Sequence, residues 1–448
     1  MMKIIYLTAM TAALLFISVT NASALDLFDI YQHALKNDSK YQQQVYTNEA
    51  NRELVPQSRS SLLPDLNATG DYAWRSEERD QIVEDDEQLS TVHSEGNYSS
   101  QRARLVLSQV LFDRRAWLEF KQAQSTFLVS ENRLEDEYQA MVFRVIQAYF
   151  NALNKIDLVE VGINELAAFH EHQLLTEQRY KEKLGTLTDV LESQSRSLFS
   201  EANLIRARAE KENAMNELEE LSGLSNMEIN PLVKSYEPEI LSDKDDETWH
   251  QAGSNGALSI LIARQELKST ELEIKKNRSK FLPDLKLEAS SFVDGNELNP
   301  VTIQKDFRRD EVAVRLNIPL FKGLRTRAEV NEAMRRLDAA NESLKVAQKD
   351  TTKRVSNDLN SVKASYQSFI ALKESYMKSD KALQLRKQGF LEGLSSNLDL
   401  LRSYQDVYRT ERDWINASYR YILDRATLFR DVGGLSEEIV EAMNSFVE

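Results

Sequence analysis

The chain has 448 residues, a formal net charge of -15 at pH 7 and no cysteine. The acidic balance argues against a nucleic-acid-binding protein, because such a protein would present a basic face. The lack of cysteine excludes disulfides, thiolate metal sites, cysteine catalysis and lipid attachment through a cysteine near a mature N-terminus.

The first 24 residues have the pattern of a secretory signal. Lys3 precedes an apolar run over residues 4–19, and the small residues Ala22, Ser23 and Ala24 follow. This predicts a signal peptide cleaved after Ala24, with a mature chain outside the cytoplasm. An N-terminal anchor is the alternative, but the run is short and no charged stop-transfer cluster follows it. No later stretch approaches the roughly 20 apolar residues of a membrane helix, which leaves strands as the means of any crossing.

Very long helices dominate the rest of the chain. No proline lies between Pro64 and Pro231 or after Pro319, and glycine is sparse in the same spans. Such spans predict helices over 113–184 and 187–222, and again over 323–432. In the first of them, two adjacent heptad-like apolar lines run side by side. Two seams indicate neighbours on both sides, as in a cylinder of helices; a long antiparallel bundle is the alternative.

Four shorter segments alternate apolar and polar residues with a period of two. They predict strands over 65–76, 98–112, 284–294 and 309–321, with polar loops over most of the residues between each pair. Leu66, Tyr72 and Trp74 share one face of the first segment, and Asn67 and Asp71 share the other. A half-exposed soluble sheet gives the same alternation. Four matched strands in an exported helical chain favour the wall of a transmembrane β-barrel, with its long acidic loops on the extracellular side.

Nearly the same six-residue motif occurs twice, as "SLLPDL" at 61–66 and "KFLPDL" at 280–285. Each proline closes a helix and starts a strand pair, and each pair leads into a long helix. The chain is therefore predicted to be a structural duplicate. A first repeat covers 25–222, a connector 223–256, a second repeat 257–433 and a C-terminal segment 434–448. Four strands cannot close a barrel, and open edges cannot face lipid, so oligomerisation around a water-filled lumen is expected.

The chain resembles the TolC family of outer-membrane channel-tunnels. The resemblance is carried by the paired motifs above, by "AYFNALNKIDLV" at 148–159, and by two turn motifs, "RYKEKLGTLTDVLESQ" at 179–194 and "GFLEGLSSNLDLLRSYQ" at 389–405. It implies a mainly α fold with a transmembrane β-barrel: a homotrimer whose twelve strands form one barrel, continued by a long periplasmic cylinder of helices. The connector and the C-terminal segment would form an equatorial belt around the cylinder.

The resemblance implies a passive exit duct in the outer membrane of a Gram-negative cell. A periplasmic adaptor protein would open it and couple it to an inner-membrane transporter, either an ABC transporter for type I protein secretion or a proton-driven efflux pump. The absence of a cysteine for lipidation favours the branch that serves secretion, or both secretion and efflux. The alternative is a secreted coiled-coil scaffold or adhesin without a pore.

Neither an enzyme nor a cofactor or metal site is expected. The chain has no "GxSxG", no "HExxH" and no phosphate-binding loop. His170 and His172 are the closest pair of histidines, and at i, i+2 on a helix they point to different faces.

By resemblance, the periplasmic gate lies at the two turn motifs. Asp399 matches the family's acidic constriction residue, and Asp189, beside Thr188, is its duplicate. A second acidic position of the family is Arg402 here, the gate tyrosine is Phe390 and the gate arginine is Ser395. A closing latch with a different set of hydrogen bonds is therefore expected; the alternative is that these are solvated turn residues.

The adaptor-docking positions match two triplets, one at each turn. They are Glu182, Lys183 and Leu184 in the first half and Glu392, Gly393 and Leu394 in the second. Since the chain reverses at Gly393, a positive φ is expected there.

Overall fold

The computed structural model describes residues 24–85, 88–233, 237–238, 246–296 and 307–447. The predicted signal peptide lies outside these residues except for Ala24. The elements in chain order are α1 Leu27–Asn37, α2 Ser39–Ser60, β1 Asp65–Asp85, β2 Gln88–Phe112, α3 Arg114–Lys181, α4 Leu187–Ser222, α5 Asp246–Gly256, α6 Leu258–Ser279, β3 Asp284–Asn296, β4 Phe307–Asn317, α7 Arg325–Leu391, α8 Asn397–Asp431 and α9 Glu437–Asn444.

The long helices form where breakers are absent. α3 has 68 residues, which at 1.5 Å per residue is a rod of about 100 Å. It begins at a capping residue, since the carboxylate of Asp113 accepts hydrogen bonds from the N–H groups of Arg115 and Ala116. α7 has 67 residues. Residues 323 and 324, both with positive φ, direct the chain into the first turn of α7.

The four strands form one antiparallel sheet in the order β1-β2-β3-β4. Their register aligns the predicted apolar faces: Leu66 lies opposite Leu107, Leu107 opposite Ala289, and Ala289 opposite Val312. The other face carries the charges, for example an ion pair of 3.2 Å between Arg102 and Asp71. The predicted alternation of faces is confirmed, and in the single chain the apolar face of the sheet is exposed to solvent.

The predicted bounds of the first strand pair, 65–76 and 98–112, are wrong. β1 continues to Asp85 and β2 starts at Gln88, so most of the predicted polar loop is a two-stranded ribbon. The register runs on without a break from Ser76 opposite Asn97 to Asp85 opposite Gln88. Strand pairing uses backbone groups, so it can continue where the sequence does not alternate apolar and polar residues.

The second pair differs less. β3 extends to Asn296 and β4 starts at Phe307, and β4 ends at Asn317 instead of residue 321. Pro319 lacks an N–H group and so cannot continue the ladder. The middle of the predicted loop between these strands, residues 297–306, lies outside the described residues.

The helices continue the layer that the sheet begins. Next to the sheet, neighbouring helices contact in the order α2-α3-α6-α7, and beyond it in the order α4-α3-α8-α7. The first repeat therefore forms one edge of the layer at every level, and the second repeat forms the other.

Among the described residues, the largest buried core lies at the waist between these two levels. It is centred on Ile146, Tyr149 and Phe150 of α3, with side chains from α1, α4, α8 and α9 around them. Residues 224–232 of the connector and the C-terminal segment pack against this core. A short β-bridge joins Leu232 of the connector to Val447 of the C-terminal segment, and another joins Ile229 of the connector to Leu25 at the start of the first repeat. Among the described residues, no helix is long and apolar enough to cross a bilayer.

Candidate functional site at the helical tips

Two turns at the far end of the helical layer join α3 to α4 and α7 to α8. Each helix ends with a residue in the left-handed region, Lys183 at φ 63° and Gly393 at φ 79°. The N–H of Leu184 donates to the carbonyl of Arg179 at 2.8 Å, and the N–H of Leu394 donates to that of Gly389 at 2.7 Å. This is the same C-terminal capping motif in both repeats. The positive φ expected at Gly393 is confirmed.

The two predicted docking triplets form the outermost surface of these turns. Leu184 is 64 % exposed and Leu394 is 80 % exposed. Leucine side chains this open are unusual in a capping motif, where the residue in this position commonly contacts the last turn of the helix. Glu182 and Glu392 are exposed next to them. Each turn therefore exposes a leucine, next to Glu182 and Lys183 in the first half and to Glu392 in the second.

The two predicted constriction acids lie in the first turns of the returning helices, three residues after the capping residues Thr186 and Ser396. The carboxylate of Asp189 accepts hydrogen bonds from the N–H and the hydroxyl of Thr186, at 2.9 and 2.7 Å. The carboxylate of Asp399 accepts one from the hydroxyl of Ser396 at 2.7 Å. Both acids are thus held in one rotamer in the first turn of a helix. Thr188, beside Asp189, is exposed.

Asp399 has a cationic neighbour that sequence reasoning missed. The Arg386 guanidinium on α7 lies 3.8 Å from its carboxylate. Hydrogen bonds from Ser396 lower the pKa of Asp399, and the charges of Arg386 and Arg402 lower it further. Arg402 is exposed, and in the described part of the chain it forms no ion pair with Asp399. Arg386 comes close only because α7 and α8 pack antiparallel.

Phe390, matched to the gate tyrosine, is buried. Its ring lies 5.5 Å from the imidazole of His172, and the Arg179 guanidinium stacks 4.8 Å from its centroid. Ser395, matched to the gate arginine, is partly buried, and its N–H donates to the carbonyl of Gly389 at 3.2 Å. Within one chain, these two residues pack the inside of the turn.

The structure adds two buried polar residues that sequence reasoning did not select. His172 lies 2.7 Å, through Nε2, from Oδ1 of Asn397, the first residue of α8. His172 is buried and His170 is exposed, so the prediction that they point to different faces is confirmed. In the sequence, His172 stands out only as one of the closest pair of histidines; the signal for Asn397 is that it is polar where the first repeat has Leu187. Among the described residues, no group of three or more His, Cys, Asp or Glu could hold a metal ion.

The family model described as "Outer membrane efflux protein" matches residues 30–224 and 254–434. The chain is 28% identical over 442 residues to the alkaline protease secretion protein AprF of Pseudomonas aeruginosa, covering 97% of this chain and 90% of AprF. It is 24% identical over 434 residues to the outer membrane protein TolC of Salmonella enteritidis, covering 95% and 85%. A crystal structure of a Pseudomonas aeruginosa membrane protein superimposes with a TM-score of 0.77 at 22% identity, covering 93% and 92%.

The fold, the duplicated tips and these similarities agree on the class of protein. The chain belongs to the outer membrane efflux protein family, and its fold is that of the TolC-type channels. The resemblance drawn from the sequence is therefore confirmed, and so is the outer membrane as the location.

Proposed function

We propose that three copies of this chain form a channel through the outer membrane and periplasm that serves as the exit duct of an export machine. The observation that carries the proposal is the pair of open edges. β1 and β4 each have one unpaired side, and α4 and α7 end the helical layer on the same two sides. Head-to-tail contacts between two different edges generate a ring when the rotation between successive copies closes.

The helical edges support this closure with matching apolar stripes. On α4, Leu191, Leu198 and Ile205 recur every seven residues and are 57 %, 65 % and 63 % exposed. On α7, Ile370 and Met377 have the same spacing and are also exposed. Repeats of seven are the pattern of helices that pack along their length. We infer that α4 of one copy packs against α7 of the next.

The same ring would pair β4 of one copy with β1 of the next and give twelve strands. The exposed apolar face would then meet lipid, and the charged face, with the Arg102–Asp71 pair, would line a water-filled lumen. Such a channel does no chemistry. Its gate would be the helical tips, where three Asp399 carboxylates converge, and its partners would be an adaptor docked on the exposed leucines and an inner-membrane transporter.

Protein secretion of type I is the export route that we favour. The support is the similarity to AprF, which is named for secretion of alkaline protease and aligns over nearly the whole chain. Small-molecule efflux by the same duct is the second candidate, because the similarity to TolC is almost as extensive. A scaffold or adhesin without a pore is disfavoured by the family.

Planar-bilayer recording of the purified protein, combined with electrophoresis of unheated samples, tests the proposal. We expect a heat-sensitive trimer that inserts and conducts ions. A stable monomer, or a trimer that never conducts, would contradict it.

The constriction can be tested in the same recordings. Arg386 and Arg402 should offset the field of the Asp399 ring, so trivalent cations added on the tip side should block weakly. Arg402→Asp and Arg386→Gln should each strengthen the block, and Arg335→Gln, exposed on α7 far from the tips, is the control. Tight block of the unmodified channel that neither change alters would show that neither arginine faces Asp399 in the trimer.

A further inference from the structure

His172 occupies a buried junction where four helices meet near the tips. The histidine comes from α3, Asn397 begins α8, Phe390 ends α7, and Asp189 lies in the first turn of α4. His172, Asn397 and Phe390 are only 2 %, 6 % and 6 % exposed. One polar pair thus joins the α3–α4 hairpin to the α7–α8 hairpin beside the turns that must move if the duct opens.

The hydrogen bonds of Asn397 determine which imidazole nitrogen carries the proton. Its amide nitrogen donates to the carbonyl of Asp189 at 3.5 Å, so its Oδ1 faces Nε2 of His172 and accepts. The imidazole therefore carries its proton on Nε2. Nδ1 of His172 is buried and has no hydrogen-bond partner in the part of the chain that the structure describes. The closed junction is built for a neutral histidine, because a second proton would sit on a nitrogen without an acceptor.

The surroundings of the imidazole oppose its protonation. Tyr404 of α8 packs on it at a ring distance of 5.8 Å. Burial is the largest effect that lowers the pKa of His172, and the charge of Lys387 on α7 lowers it too, while the Asn397 hydrogen bond and the carboxylates of Asp189 on α4 and Glu171 on α3 raise it. Lys387 lies 3.8 Å from Glu171, which reduces the influence of both. Arg179 of α3 adds a positive charge over the Phe390 ring.

We propose that the His172–Asn397 junction is a latch that holds the two hairpins together in the closed duct, and that protonation of His172 releases it. The proposal rests on the proposed function as an export channel. In this proposal, the His172–Asn397 hydrogen bond inside each chain keeps the tip closed, separately from the ring of three Asp399 side chains. The first repeat has no counterpart, because Leu187, at the position of Asn397, is 53 % exposed.

The size of the effect follows from proton linkage. If the closed junction excludes the proton and the open one has the ordinary histidine pKa of 6.5, lowering the pH from 7.5 to 5.0 shifts the equilibrium toward the open form by up to about 30-fold per protomer. The shift occurs below pH 6.5, because the closed state then binds fewer protons than the open state.

The lack of cysteine in the natural chain allows a direct measurement. Leu394→Cys puts a single spin label on an exposed tip residue, and pulsed dipolar spectroscopy of the purified trimer reports the distances between tips at pH 7.5 and pH 5.0. Bilayer conductance is recorded in parallel. We expect longer tip distances and at least a tenfold rise in open probability at pH 5.0.

Two variants test whether His172 is responsible, with His170→Gln as the matched control on the exposed face of the same helix. His172→Gln keeps a donor for Asn397 and cannot titrate, so the tips of this variant should stay closed at both pH values. Asn397→Asp supplies a carboxylate for a charged imidazole and should also suppress opening at pH 5.0. An undiminished acid response in both variants overturns the latch, as does a trimer of the natural sequence that stays closed at pH 5.0. A protein that never conducts contradicts the channel itself.

Discussion

Val312 is the position where the membrane-facing role of the sheet can be tested most sharply. It lies in the middle of β4, is 76 % exposed, and pairs with Ala289 in the row that continues through Leu107 and Leu66. In the proposed trimer, its side chain would meet lipid near the midplane. Val312→Arg should therefore prevent assembly in the membrane.

The magnitude follows from the depth of the residue. An arginine on the lipid face of a barrel at the midplane costs about 2 to 4 kcal/mol, and three copies per trimer give about 6 to 12 kcal/mol. That loss is comparable to the total stability of many folded proteins, so trimer should be nearly absent. Leu316→Arg, on the same face but one residue from the end of β4, should cost only about 0 to 1 kcal/mol per copy.

The matched control is Ala313→Arg, the same new side chain one residue along. Ala313 lies opposite Glu288 on the charged face, so an arginine there would enter the lumen. The assay is the amount of heat-sensitive trimer in outer-membrane fractions at equal expression. If Val312→Arg yields as much trimer as Ala313→Arg, the assignment of the apolar face to lipid is refuted.

The remaining predictions concern the tips and the waist. Gly393→Val should impair export while the trimer stays in the membrane, because a branched residue at φ 79° is strained by about 1 to 3 kcal/mol. The matched change Lys183→Gly should leave export intact. Equal export by the unmodified protein and both variants would contradict the role of the turn. Asp358 on α7 gives a pH dependence: burial, and then the charge of Asp431, raises its pKa to about 7. Since the folded state then binds the extra proton between about pH 4 and pH 7, stability should fall as the pH rises through that window. Asp358→Asn should therefore raise the melting temperature at pH 8 and have less effect at pH 5. Asp350→Asn, at an exposed position on the same helix, should leave the melting temperature unchanged at both pH values. An equal change for Asp358→Asn at pH 5 and pH 8 would show that ionisation of the Asp358 carboxyl is not the cause.

The sequence determined the elements and their repetition, because those depend on local chemistry. Pro64 and Pro283 each stand between the end of a helix and the start of a strand, where the missing N–H and the fixed φ of proline disfavour a longer helix. A period of two assigns Leu66 and Leu107 to one face before any partner is known. The turn at Gly393 was equally local, since its positive φ is a property of one residue and its neighbours.

What the tertiary structure decided was which distant groups meet. The ribbon beyond Ser76 formed because two backbones aligned in register, and its side chains gave no sign of it. Arg386 reached Asp399, and His172 reached Asn397, because long helices packed antiparallel and brought together residues far apart in the chain. Periodicity indicates which side of a helix is buried. Which side chain it meets across the interface depends on the axial offset between the two helices, and no local pattern specifies that offset.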